Sequence, residues 1–262
     1  MNENKQLEKE VRRLTRRLED FSSIEDLVIS RVDDALKNIT WSPIIKKYVP
    51  DKRKLRNKET CVIHISDTQI GKVTESYNSD VATKRMRKMG DKVLKLTKNR
   101  RTGAKVEKCI VMVGGDIVEG ETIFPHQPWL VDNDLWGQAV KLAPKILSDF
   151  IVKMANNFET VDVYSVPGNH GRSQPKNSGA SPRTNFDMIT TAITRLMVNN
   201  VVKENIKWDV DHDSFYRIVP VEGHNILLIH GDQISGGGGL GGYPLTGLAR
   251  KVAGWNGSIK DH

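Results

Sequence analysis

A chain of 262 residues with 38% apolar and 27% charged side chains holds enough apolar material for one large core or two small ones. No apolar run approaches the roughly 18 residues that a membrane helix needs, and the charged start "MNENKQLEKEVRR" does not read as a secretory leader. Cys61 and Cys109 lack the paired spacing of a zinc knuckle, so both are expected as reduced core residues of a cytoplasmic protein.

In chain order, the first predicted element is an N-terminal arm over 1–47. Leu7, Val11, Leu14, Leu18 and Phe21, continued by Val28, Val32, Ala35 and Ile39, alternate at four and three residues with Glu25 as the one polar exception. That seam suits a coiled coil joining a second copy or a partner protein. An amphipathic helix folded onto its own domain fits the same spacing. Ser23 followed by Asp26 resembles a capping box and marks a break near Ser22. A basic linker, 48–60, follows.

From Cys61 the pattern becomes strand, loop, helix, repeated. "CVIHIS", "CIVMVG", "VDVYSV" and "ILLIH" are short β-rich runs. Helices are predicted over 80–98 and 134–157, and the segment 173–186, rich in Ser, Pro, Asn and Gly, as a loop near the site. This alternation predicts a layered α/β domain over 61–262, with its chemistry in loops past the carboxyl ends of the strands.

Each strand run ends in groups that can hold a cation. The first leads to Asp67 and Gln69, the second to Asp116 and Glu119, the third to Asn169, His170 and Arg172, and the fourth to His230. Oxygen donors mixed with imidazole suit manganese, iron or zinc. Glu119 is expected to make structural hydrogen bonds. His64 is expected as a core histidine or one supporting a ligand, and His126, His212 and His224 as surface or structural. Trp129 and Trp136 suit core packing more than the stacking of nucleic-acid bases.

The ordered set "SDTQ", "GGDIVEG", "PGNHGR" and "HGD" resembles the calcineurin-like metallophosphoesterase superfamily over 61–262, most closely its phage-type members related to DNA-repair exonucleases. The resemblance implies a layered β-sandwich flanked by helices. It also implies two divalent cations, best manganese, with magnesium, iron or zinc as alternatives. Asp67 and Gln69 would ligate the first ion, Asp116 would bridge both, and Asn169 and His230 would ligate the second. His170 would be the general acid beside the phosphate, and Arg172 a phosphate clamp.

Two departures stand out. Gln69 occupies a position where the superfamily has His, a weaker donor that biases the first position toward manganese or magnesium. No Gly-His-x-His motif follows "HGD", and His262 cannot replace two histidines, so weak or absent turnover is expected of residues 1–262.

The net charge of +8 is concentrated between Val81 and Ile110, where eleven Lys and Arg face Asp91 and Glu107. A phosphate backbone, DNA above all, matches such a block, as does a plain solvated helix face. The leading expectation is therefore a metal-dependent DNA nuclease with no membrane partner. A phosphomonoesterase acting on nucleotides or phosphoproteins is the second. The third is a catalytically incomplete module that binds nucleic acid or assembles through its arm.

Overall fold

The computed structural model describes residues 48–50, 52–53, 57–174, 181–202, 204–210, 213–234 and 245–258. The expected arm 1–47, His212, the glycine-rich segment 235–244 and His262 lie outside the described residues.

Four parallel strands form one sheet in the order β1 (Lys58–Ile65), β2 (Lys105–Val113), β3 (Thr160–Ser165) and β4 (Ile206–Asp209). The carboxyl-terminal half of β2 and nearly all of β3 are buried on both faces, the pattern of a parallel sheet covered from both sides. Between β1 and β2 runs α1 (Ser79–Arg100). The Asn78 side chain caps it by accepting from Val81 N, and Asp80 in the first turn and Lys98 and Arg100 in the last suit the helix dipole.

The helix predicted over 134–157 has a wider first part. Residues Gly137–Leu142 form a π-helical turn that runs into α2 (Ala143–Ala155). Pro144 near the start of α2 donates no N–H and crowds the preceding turn, which the wider turn relieves.

Several elements go beyond the sequence reading, a last helix α4 (Leu245–Ser258) among them. α3 (Phe186–Asn199) follows a 3₁₀ turn at Pro182–Thr184 inside and just after the stretch expected as a loop. β4 is a four-residue edge strand. "ILLIH" does not continue the parallel series. It belongs to β6 (His224–Ile229), which pairs antiparallel with β5 (Tyr216–Val221). Glu222 and Gly223 both have positive φ, 47° and 83°, so a two-residue turn of mirror-image type closes this hairpin.

Ile110 and Met112 of β2, Tyr164 of β3 and the adjoining Val166, Val219 of β5 and Leu228 of β6 form one buried apolar cluster. This cluster seats the hairpin on the sheet and so fixes where β6 ends. Cys109 is buried and Cys61, its register partner across β1 and β2, is half-buried; both are free thiols. His64 is exposed rather than in the core. It lies against Gly114, where an added Cβ would meet His64 Nε2 at 2.5 Å. Among the described residues no helix is long and apolar enough to cross a membrane.

Ile110→Ala is expected to cost about 2–5 kcal/mol in urea unfolding, because the hairpin and sheet close over that side chain and cannot collapse onto the gap.

Candidate metal centre

The loops leaving β1 and β2 are bonded to each other. Asp67 N donates to Gly115 O at 3.1 Å, Gln69 N to Asp116 O at 2.9 Å, and Ile70 N to Ile117 O at 2.8 Å. Asp67, Gln69 and Asp116 have φ of 53°, 42° and 51°. Left-handed backbone at three non-glycine residues costs on the order of 1 kcal/mol or more at each, and it concentrates at functional sites. The loop after β3 approaches closely: a Cβ on Gly168 would lie 2.2 Å from Asp116 N and 2.1 Å from Asp116 Oδ1. Glycine at 168 is what lets the two loops touch.

One side chain that the sequence reading did not single out holds this arrangement. Asp187, fully buried in the first turn of α3, accepts from Asp116 N (2.8 Å) and Gly168 N (2.9 Å) on Oδ2. On Oδ1 it accepts from Ile117 N (2.9 Å) and Val118 N (3.2 Å). Burial pushes its carboxyl up to about 6, against the pull of these four N–H donors, which favour the ionised form. The sequence predicts no helix at Asp187, and its partners are backbone atoms far along the chain, so it gives no signal there.

The expected ligands converge in part. One donor atom each from Asp67, Asp116 and His230 lie within 4.8 Å of one another. His230 Nε2 is 3.2 Å from Asp116 Oδ2 and 3.2 Å from Asn169 Oδ1. His230 Nδ1 faces the Gly114 carbonyl at 2.8 Å, so that nitrogen carries the hydrogen. Nε2 therefore points its other face at two oxygen acceptors, an arrangement that demands a cation or a proton between them. Burial works against the charged form, but the Asp116 carboxylate dominates and raises His230 to about 9. Burial also opposes ionisation of Asp116, and the bonds from His230 and from His170 N outweigh it and lower its carboxyl. The donor set, two carboxylates, an amide oxygen and an imidazole nitrogen, fits a divalent cation of the manganese, iron or zinc type.

His170 sits behind Asp116. Its backbone N donates to Asp116 Oδ1 at 2.8 Å, and its Nε2 is 3.9 Å from Asp116 Oδ2. Its Nδ1 meets the Glu119 carbonyl at 2.7 Å and the Glu119 carboxylate at 3.3 Å. Burial lowers the basicity of this ring, and the bonds to Glu119 reverse that and raise it. Glu119 Oε1 accepts from Gln127 Nε2 at 3.1 Å, while its Oε2 is buried without a hydrogen bond among the described residues.

Two expected site residues have other partners here. Gln69 Oε1 accepts from Lys72 Nζ at 2.8 Å, and its Nε2 lies 3.4 Å from His170 Nε2. Flipping the amide would set two donors against each other at Lys72, so Gln69 offers the cluster no oxygen in this arrangement. Arg172, expected to clamp phosphate, donates to Asp232 Oδ2 at 2.6 Å and ties the Asn169 loop to the segment after His230. Asp67 also borders a cavity of about 240 Å³ lined by Thr68, Tyr77, Arg85, Met86 and Met89.

No family signature matches this chain, and no curated protein matches it.

Two outcomes are expected. Asp187→Asn replaces an acceptor of four backbone N–H groups by an amide, and should cost on the order of 3–5 kcal/mol in urea unfolding while weakening Mn²⁺ binding. Cation uptake displaces the proton on His230 Nε2, so calorimetry in buffers of different ionisation heat should report release of about one proton at neutral pH. Since that proton is held up to about pH 9, apparent Mn²⁺ affinity should fall as the pH drops below that value.

Proposed function

We propose that this chain is a metal-dependent phosphoesterase of the two-cation kind that hydrolyses phosphodiester bonds in nucleic acid, most simply a DNA nuclease with the layered metallophosphoesterase sandwich. The observation that carries this reading is the convergence of Asp67, Asp116 and His230 at strand ends, with His170 held behind Asp116. Divalent cations bound there supply Lewis-acid charge against phosphate oxygens and a water of lowered pKa.

The chain's own groups do the rest. Asp116, central to the cluster, would hold the cations together with Asp67, Asn169 and His230. His170 has its Nδ1 engaged by Glu119 and its Nε2 on the cluster side, 3.9 Å from Asp116 Oδ2. His170 would then be the general acid, protonating the leaving oxygen from Nε2. The cavity beside Asp67 gives room for an organic substituent on the phosphate. The exposed cations of α1 suit a phosphate backbone.

The reading of a binding module is favoured by one pair of observations. Gln69 and Arg172 are taken up by Lys72 and Asp232 rather than turned to a substrate. The test runs labelled DNA with Mn²⁺, with EDTA, and with His170→Ala, beside a chromogenic diester and its monoester. The expected result is slow Mn²⁺-dependent cleavage, faster on the diester than on the monoester, reduced about 10²–10⁴-fold in His170→Ala. Retained DNA binding with no cleavage in any lane would assign the chain to the binding module, and monoester preference would move it to the phosphatases.

A further inference from the structure

The segment from Glu121 to Trp136 was expected to place its tryptophans in the core. It does the opposite. Trp129 is 85% exposed, Leu130 58%, Phe124 56% and Trp136 41%. Large apolar side chains gathered in the open mark a binding surface.

The backbone beneath them is firmly built. Gln127 is buried, accepts from Ile123 N at 2.8 Å and Phe124 N at 3.3 Å, and donates to Glu119 O at 2.8 Å. Val73 N donates to Leu130 O at 3.0 Å, and Asp132 N to Gly71 O at 2.8 Å. Trp136 meets Phe186 edge-on at 5.8 Å. The side chains are thus presented on a fixed frame rather than left without a place in the core.

We propose that this segment is a stacking platform for unpaired nucleobases, and that the substrate of the metal centre is single-stranded nucleic acid or the unpaired end of a duplex. The proposal rests on the phosphoester reading above and names its substrate class. Two observations choose the occupant. The platform is continuous with the site, because the Phe124 ring meets the His170 ring at 5.8 Å. It is also continuous with the basic helix. The Asp132 carboxylate accepts from both N and Oγ of Ser79, the first residue of α1, and Arg85 lies 5.2 Å over the Tyr77 ring. Lys84, Arg87, Lys88, Lys92, Lys95 and Lys98 continue along α1, all exposed and without an ion-pair partner among the described residues.

The acids of the platform are held in place: Asp132 is bound to Ser79, Asp134 Oδ1 accepts from Gly137 N, and Glu121 Oε1 from Leu135 N. They keep their charge but are outnumbered by the cations of α1. Aromatic faces beside a basic helix match bases beside phosphates. Bases inside a duplex keep their faces against each other, so a platform of this kind reads unpaired ones.

The test is fluorescence anisotropy in EDTA, with the full chain and labelled oligothymidylate or blunt duplex, each about 20 nucleotides long. Single strand should bind at least about 10-fold more tightly than duplex, and Trp129→Ala should weaken it about 5- to 50-fold while Trp129→Phe largely restores it. Substituting Lys88 and Lys92 by Ala should instead flatten the salt dependence. Equal binding by Trp129→Ala and the parent chain, or a preference for duplex, would overturn the proposal. So would self-association that Trp129→Ala abolishes without DNA binding, which would assign the surface to protein. Because no cation is present, failed hydrolysis would strike the nuclease reading and leave this result standing, and the reverse holds.

Discussion

Four backbone N–H groups on one buried carboxylate hold this site together. The Asp116 loop and the Gly168 loop both follow strands of the parallel sheet. Asp187 accepts from three consecutive N–H groups of the first and from one of the second. Buried donors left without acceptors are costly, so the carboxylate makes one geometry of the two loops far better than its neighbours. Asp187 N itself bonds to Asn185 Oδ1, the cap of α3, so the position of that helix is transmitted to Asp116.

The frame sets the electrostatics. Asp116, Glu119, Asp187, His170 and His230 cluster with little solvent between them. Three carboxylates brought close repel each other, and the imidazoles only partly offset this. A divalent cation held there would remove both difficulties: it would neutralise the carboxylates and take the place of the proton on His230 Nε2. Left-handed backbone at Asp67, Gln69 and Asp116 belongs to the same economy, since the loops turn sharply enough to aim side chains inward.

Much of this was legible in the sequence. β1, β2 and β3 read as β-branched runs between turn residues, and the glycines beside Asp116 and Asn169 marked loops at their ends. The pattern failed where the signal is not local. β5 contains Pro220, which weakens a strand reading, and its partnership with β6 makes an antiparallel hairpin out of what looked like a fourth parallel strand. α3 begins inside polar residues whose capping role is visible only once Pro182 and Asn185 are in place. Asp67, Asp116, Asn169 and His230 could be picked out because motif order supplied what spacing alone does not. Asp187 and Gln127 could not, because their partners are backbone atoms far along the chain. Gln69 and Arg172 were chosen for their chemistry, and Lys72 and Asp232, unremarkable in sequence, engage them. Trp129 shows the converse: its type suggests burial, and its surroundings leave it in the open.

The central claim is that these loops converge in order to hold a divalent cation. Anomalous diffraction at the manganese edge, from crystals of the full chain grown with Mn²⁺, tests it most directly. The account predicts an anomalous peak bounded by Asp116, Asn169 and His230, beside Asp67, and its loss in Asp116→Asn. A chain that diffracts well and shows no peak there, or one that keeps the peak after that substitution, would contradict it.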